Sequence, residues 1–193
     1  MKFRHGMFVV ALVAGTWAAQ ADEGSGKHYS VGAAAGMTGG SGVSVRIPLN
    51  PQSDLQLNFL PYYSEKRYPK DDDGFSTATR DSGYANFGIV NLGALYQRRL
   101  ADLDPFRVFA YGGGNYMGVY HKEDYYYSDY SESGRETRNY LRSLLTAGAG
   151  LGGGIRAWRF EATAMLGFLV VRDFHDETTN LVPSIDVALH FEL

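Results

Sequence analysis

The chain has 193 residues, with 18 Lys plus Arg against 21 Asp plus Glu, a net charge of −3 and no cysteine. The weak acidity and the lack of a basic cluster exclude nucleic acid as a partner, and the missing cysteines leave stability to the fold alone. The length suits one domain.

Met1-Lys2-Phe3-Arg4-His5 is a short basic start, residues 7–15 are an apolar run, and Ala19-Gln20-Ala21 is a small-residue site. That order predicts a secretory signal peptide, residues 1–21, followed by one mature domain, residues 22–193. Losing Lys2 and Arg4 moves the net charge from −3 to about −5. The apolar run falls short of the ~20 residues that a membrane-spanning helix needs. No later segment reaches that length, which leaves a closed barrel as the spanning structure that satisfies its own backbone in lipid. The 24 glycines and 14 tyrosines suit barrel walls and interfacial girdles. A soluble all-β domain would favour tyrosine and turn glycines too.

Eight strands are predicted. The first, near 29–38, sets Tyr29, Val31, Ala33, Ala35 and Met37 on one face, and Gly39-Gly40-Ser41-Gly42 turns the chain. The second sets Val43, Val45, Ile47 and Leu49 outward against Ser44 and Arg46, before a turn at Asn50-Pro51-Gln52-Ser53-Asp54. The third carries Leu55, Leu57, Phe59, Pro61 and Tyr63 against Gln56, Asn58 and Tyr62. A polar stretch, Glu65–Ser82, leads to the fourth, near 83–99, with Val90, Leu92, Ala94 and Tyr96 outside and Asn91, Gly93 and Gln97 inside. The fifth spans about 106–120, where Gly112-Gly113-Gly114 erases the facing pattern.

A second polar stretch, His121–Arg138, is acidic and tyrosine-rich. The sixth strand sets Leu141, Leu145, Ala147, Ala149 and Leu151 opposite Arg142, Thr146 and Gly148, with a turn near Ile155-Arg156-Ala157. The seventh shows Trp158, Phe160, Ala162, Ala164, Leu166, Phe168 and Val170 on one face, and Arg159, Glu161, Thr163, Met165 and Gly167 on the other. After the polar Arg172–Asn180, the last segment alternates strictly from Leu181 to Leu193. Such alternation gives a strand with one apolar and one mostly polar face.

The connections sort by length. The second, fourth and sixth are compact and the third, fifth and seventh are long, as in barrels with short periplasmic turns and longer external loops. The first, which falls on the external side, is the short exception. A soluble sandwich has no reason to sort its loops so. On its signal peptide, on strands such as Trp158–Val171 and on the closing Ile185–Leu193, the chain resembles the small eight-stranded outer-membrane β-barrel proteins of Gram-negative bacteria over most of its mature length. The expected fold is therefore an all-β, closed, antiparallel up-and-down transmembrane barrel. The resemblance implies the Gram-negative outer membrane as location, with its lipid, lipopolysaccharide and barrel-assembly machinery as partners. It also implies an aromatic last residue. Here Leu193 ends the chain and Phe191 stands two positions earlier.

Arg142, Arg159, Glu161, Asp186, His190 and Glu192 fall on inward faces. An eight-stranded lumen has room for side chains only, so these are expected to pair as a plug, with a proton or ion path as the functional alternative. Tyr125, Tyr126, Tyr127 and Tyr130 are the candidate external recognition residues, for a protein or glycan ligand, since tyrosine offers a rigid apolar body with a polar tip. The alternative places them at lipid headgroups. Asp71-Asp72-Asp73-Gly74 lacks the alternate spacing of a calcium loop and reads as solvated. His28-Tyr29-Ser30 is followed by Val31, not by the Asn of the lipid A deacylase motif. His175 lies in a polar loop beside Asp173 and Asp176. No catalytic residue, cofactor or metal is assigned.

The expectation is a monomeric, non-enzymatic barrel with a structural or surface-recognition role through its long external loops. A lipid A-modifying enzyme and a small channel for hydrophobic compounds, opening sideways through the wall, are the alternatives.

Overall fold

The computed structural model describes residues 29–68, 79–128 and 133–193, and side chains there outside 66–84 and 125–136. Alternating apolar and polar side chains with glycine-rich stretches build eight strands: β1 (Ser30–Ala35), β2 (Gly42–Asn50), β3 (Ser53–Tyr68), β4 (Thr79–Leu103), β5 (Phe106–Ser128), β6 (Ser133–Ala157), β7 (Phe160–Asp173) and β8 (Thr178–Glu192). Each pairs antiparallel with its neighbour in sequence, and β1 pairs with β8 to close the ring. The expected signal peptide lies outside the described residues.

Following the register from Leu181 through Val170, Ala147, Gly114, Ala94, Leu57, Val45 and Val31 returns to β8 at Phe191, ten residues further on. That stagger tilts the strands, as closure of a narrow barrel requires. The exterior is an apolar belt of exposed side chains, including Leu57, Leu92, Leu145, Leu151, Leu166, Phe168, Ile185, Val187 and Leu189. Water would penalise such a surface, whereas hydrocarbon accommodates it and the closed ring leaves its paired backbone satisfied there. The chain is a transmembrane β-barrel. Facing on β5 is also settled: Arg107, Phe109, Tyr111 and Asn115 are buried in the lumen, while Phe106, Val108, Tyr116 and Tyr120 are exposed.

The wall is uneven in height. A tilted strand needs ~9–11 residues to cross a bilayer. β4, β5 and β6 have 25, 23 and 25 residues, whereas β1 and β2 have 6 and 9. This corrects two expectations. Much of the polar stretches Glu65–Ser82 and His121–Arg138 is strand, not loop, because β3 runs on to Tyr68, β4 starts at Thr79, β5 ends at Ser128 and β6 starts at Ser133. Their polar sequence suits strands that run on beyond the apolar belt.

The second correction concerns the first connection, expected as a short external turn. It instead folds into the lumen, where Thr38, Gly39 and Gly40 are buried. Pairing of β1 with β8 stops at Ala35 opposite Val187, and pairing of β2 with β3 reaches only Val43 opposite Phe59. Thr178–Asp186 and Leu60–Tyr68 are thus paired on one side only, leaving a notch in the wall. Pro61 and Pro183 sit on these stretches; proline has no N–H to leave unpaired and is tolerated at sheet edges. The notch also explains Tyr62, expected to face inward but exposed, since β4 pairs beside it and β2 does not reach it. A smaller shift moves the β6–β7 turn from Ile155-Arg156-Ala157 to Trp158-Arg159, with Trp158 at φ 56°.

Candidate functional site

The lumen is filled in layers, and the end where β1 begins and β8 ends holds an ionic one. Inward positions of β2, β3, β5 and β7 bring together Arg46, Asp54, Arg107 and Glu161, all buried. Glu161 forms ion pairs with Arg46 at 3.0 Å and Arg107 at 2.5 Å, and Asp54 Oδ2 accepts a hydrogen bond from Arg107 at 3.1 Å. Arg99 and Arg156 approach the same two carboxylates at 3.6 and 3.7 Å. Unpaired charge at so buried a place would cost several kcal/mol, so sharing is the condition for burying these groups.

His190 stands in this layer between Ser44 and Arg46. Its Nε2 lies 2.8 Å from Ser44 Oγ and its Nδ1 3.0 Å from an Arg46 Nη. A guanidinium only donates, so Nδ1 must accept, and the remaining ring proton sits on Nε2 and donates to Ser44. A serine nucleophile needs the reverse tautomer, with Nε2 free to take its proton and a carboxylate behind Nδ1. The pair is therefore arranged as a structural bridge.

A small apolar cluster of Leu95, Phe109, Tyr111 and Met165 lies above the ionic layer. Beside it runs a chain of amides. Arg107 donates to Gln97 Oε1 at 3.4 Å, Gln97 to Gln56 Oε1 at 3.0 Å, Gln56 to Asn58 Oδ1 at 3.1 Å, and Asn58 to the Gly39 carbonyl at 2.6 Å. The ionic layer is thereby joined by hydrogen bonds to the inward turn.

That turn is the second closure. Asp186 Oδ1 accepts the N–H groups of Thr38 and Gly39 at 3.0 and 3.2 Å. Thr38 Oγ1 donates to Ser184 Oγ at 3.1 Å, Asn91 Oδ1 accepts from Ser41 N–H at 3.3 Å, and Thr146 Oγ1 donates to the Met37 carbonyl at 2.7 Å. Two glycines make the fit. Gly40 has φ +76°, and a methyl on Gly93 would collide with the Gly39 carbonyl oxygen. The turn sets backbone inside the lumen.

Among the residues singled out from sequence, Glu161 and His190 meet in the ionic layer, and Asp186 holds the plug. Glu192 lines the same terminal mouth, as does Arg159, whose guanidinium lies 5.9 Å from the exposed Trp158 ring. Arg142 stands apart near the far rim, bonded to Asp173 and reaching Asp176 at 3.4 Å. Tyr125, Tyr126 and Tyr127 lie in β5 opposite Glu136, Arg135 and Gly134; their side chains, and Tyr130 altogether, lie outside the described residues. So do His28 and Asp71-Asp72-Asp73-Gly74. Arg107 and Asp54 were missed because one sat on the strand of unreadable facing and the other in an expected turn. Arg46 and Ser44 were legible as inward but nothing in one sequence pairs them with β7 or β8.

No family model matches the sequence, and no curated protein matches it. Solved structures do. Ail, the attachment invasion locus protein of Yersinia pestis, matches at 12% identity over 86% of this chain and 97% of that one, with a TM-score of 0.41. Acinetobacter baumannii CarO matches at 11% identity over 84% and 96%, TM-score 0.37. A major outer membrane protein from Thermus thermophilus matches at 14% identity over 88% and 100%, TM-score 0.39. These are distant likenesses, and the barrel itself rests on the closed ring of strand pairings.

Proposed function

We propose that the protein is a non-enzymatic surface barrel of a Gram-negative outer membrane, closed to diffusion and presenting a tall β3–β6 wall for recognition outside the cell. The observation that carries this reading is the height of that wall. β4, β5 and β6 are roughly twice as long as a crossing requires, given the ~9–11 residues per tilted strand, and the excess lies at the end away from the chain termini. Exposed Tyr63, Tyr116, Tyr120 and Tyr140 climb this side, and tyrosine at a rigid surface binds with little entropic loss. The doubly closed lumen supports a role in the wall, not the bore.

The absence of cysteine allows a clean test. Asn139→Cys on the tall wall should react with a membrane-impermeant maleimide on intact cells, and Ala157→Cys at the opposite end should react only after lysis. The reverse pattern would refute the orientation. A variant lacking residues 122–139, which trims the β5–β6 hairpin while leaving its lower part, should still insert. It should lose most of the adherence to epithelial monolayers that the intact chain confers. Equal adherence by both, or none by either, sinks the recognition role.

A further inference from the structure

A half-open cavity of about 370 Å³ occupies the terminal mouth, below the ionic layer. Five guanidinium groups line it: Arg46, Arg99, Arg107, Arg156 and Arg159. Three carboxylates answer them there, Asp54, Glu161 and Glu192, and His190 is neutral by its hydrogen bonds. Glu161 is shared among Arg46, Arg107 and Arg156, and Asp54 between Arg107 and Arg99. Asp102, at the outer rim, takes up part of Arg99 at 3.4 Å, and the mouth still keeps a positive surplus. In a chain whose net charge is −3, this concentration of arginine is local and built by the fold.

The base of the cavity is buried, while Arg156, near the end of β6, and Arg159, in the β6–β7 turn, reach it from exposed positions. The same turn raises Trp158 beside Phe160 and Phe191, with ring centroids 6.1 and 6.3 Å away. This is an aromatic anchor of the kind that sits at lipid headgroups. Guanidinium forks match the paired oxygens of phosphate, and low-dielectric walls focus their field. The Gly39 plug blocks onward passage, so a ligand here is held, not conducted.

We propose that this mouth is a binding site for a phosphate-class oxyanion, gripped by Arg156 and Arg159 in the field of Arg46, Arg99 and Arg107. The anion comes either free from the adjoining water or as the headgroup of a lipid in the adjoining leaflet. The proposal is independent of the recognition surface, which occupies the opposite end of the barrel.

Two arms test it on the purified protein. Inorganic phosphate is titrated calorimetrically at low ionic strength in a maltoside micelle, which carries no phosphate. Phosphatidylglycerol retained from nanodiscs is counted by native mass spectrometry. The probe variant is Arg156→Gln with Arg159→Gln, both exposed, and Arg172→Gln at the other end is the control. Saturable phosphate binding that weakens at least tenfold in the double variant and not in the control establishes the free anion. Retained lipid that the double variant alone loses, without phosphate binding, establishes the headgroup. If the unaltered protein takes up neither probe, or all three proteins behave alike, the site does not exist. Should the double variant fail to refold, Arg156→Lys with Arg159→Lys replaces it, and binding that does not change at all in that variant overturns the guanidinium grip.

Discussion

The two groups that fill the lumen differ in kind. The lower one is ionic, with Arg46, Arg107, Asp54 and Glu161 sharing charges at 2.5 to 3.1 Å. The upper one is a loop of neutral backbone, held by Asp186, Asn58, Ser184 and Thr146 at 2.6 to 3.2 Å. The first is tied into strands on every side, so it can only be broken by damaging the wall. The second hangs on a six-residue connection, residues 36–41, and can leave without unpairing a strand. Ions bridge four strands of the barrel, and the turn is a connection between two.

Removing the carboxylate common to three arginines should therefore do the most harm. Glu161→Ala leaves Arg46 and Arg107 buried beside too few acceptors, a loss of about 3–5 kcal/mol for a broken buried pair. Urea unfolding from lipid vesicles reads this as a large fall in midpoint. A midpoint within error of the unaltered protein would mean that water already solvates the layer.

The plug should respond differently. Gly93→Val puts a side chain where the Gly39 carbonyl oxygen now sits, and a carbonyl cannot swing aside as a flexible side chain can. The turn should be displaced, at a cost of about 1–3 kcal/mol for the N–H groups it leaves to find water. Planar-bilayer recordings should then show ion current that the unaltered protein lacks. Silence from Gly93→Val in a correctly inserted barrel would show that the ionic layer alone seals the bore.

How much of this was legible in sequence follows the physics of each part. Strict two-residue alternation in β7 and β8 announced both the strands and their faces, because side chains on a strand have no other period. The ring closure came with it, since one apolar face per strand and no helical span leave few other solutions in lipid. The outer part of the tall wall reads as loop because its sequence is polar at successive positions, and alternation disappears where neither face is apolar. The plug was invisible for another reason. Gly39-Gly40-Ser41-Gly42 reads as a turn wherever it points, and only the neighbouring Asn58, Asn91 and Asp186 decide that it points inward. Glu161 and His190 were found from their own strands, while their partners Arg107 and Asp54 required the register between distant strands.

The smallest effect expected is at the far rim, and it isolates what burial contributes. Arg142 and Asp173 make the same guanidinium–carboxylate contact as Arg107 and Asp54. Arg142, however, is 40% exposed where Arg107 is 5% exposed. Water already satisfies much of an exposed guanidinium, so its pairing adds little to the folded state. Asp173 would keep the N–H groups of His175 and Asp176 after the arginine is gone. Arg142→Gln should accordingly leave the urea midpoint unchanged, while Arg107→Gln lowers it. The two substitutions remove the same charge from the same kind of pair, so any difference between them measures the lumen and not the chemistry of the ion pair. Equal shifts would show that the lower layer is as wet as the rim, and that the seal resides in the turn.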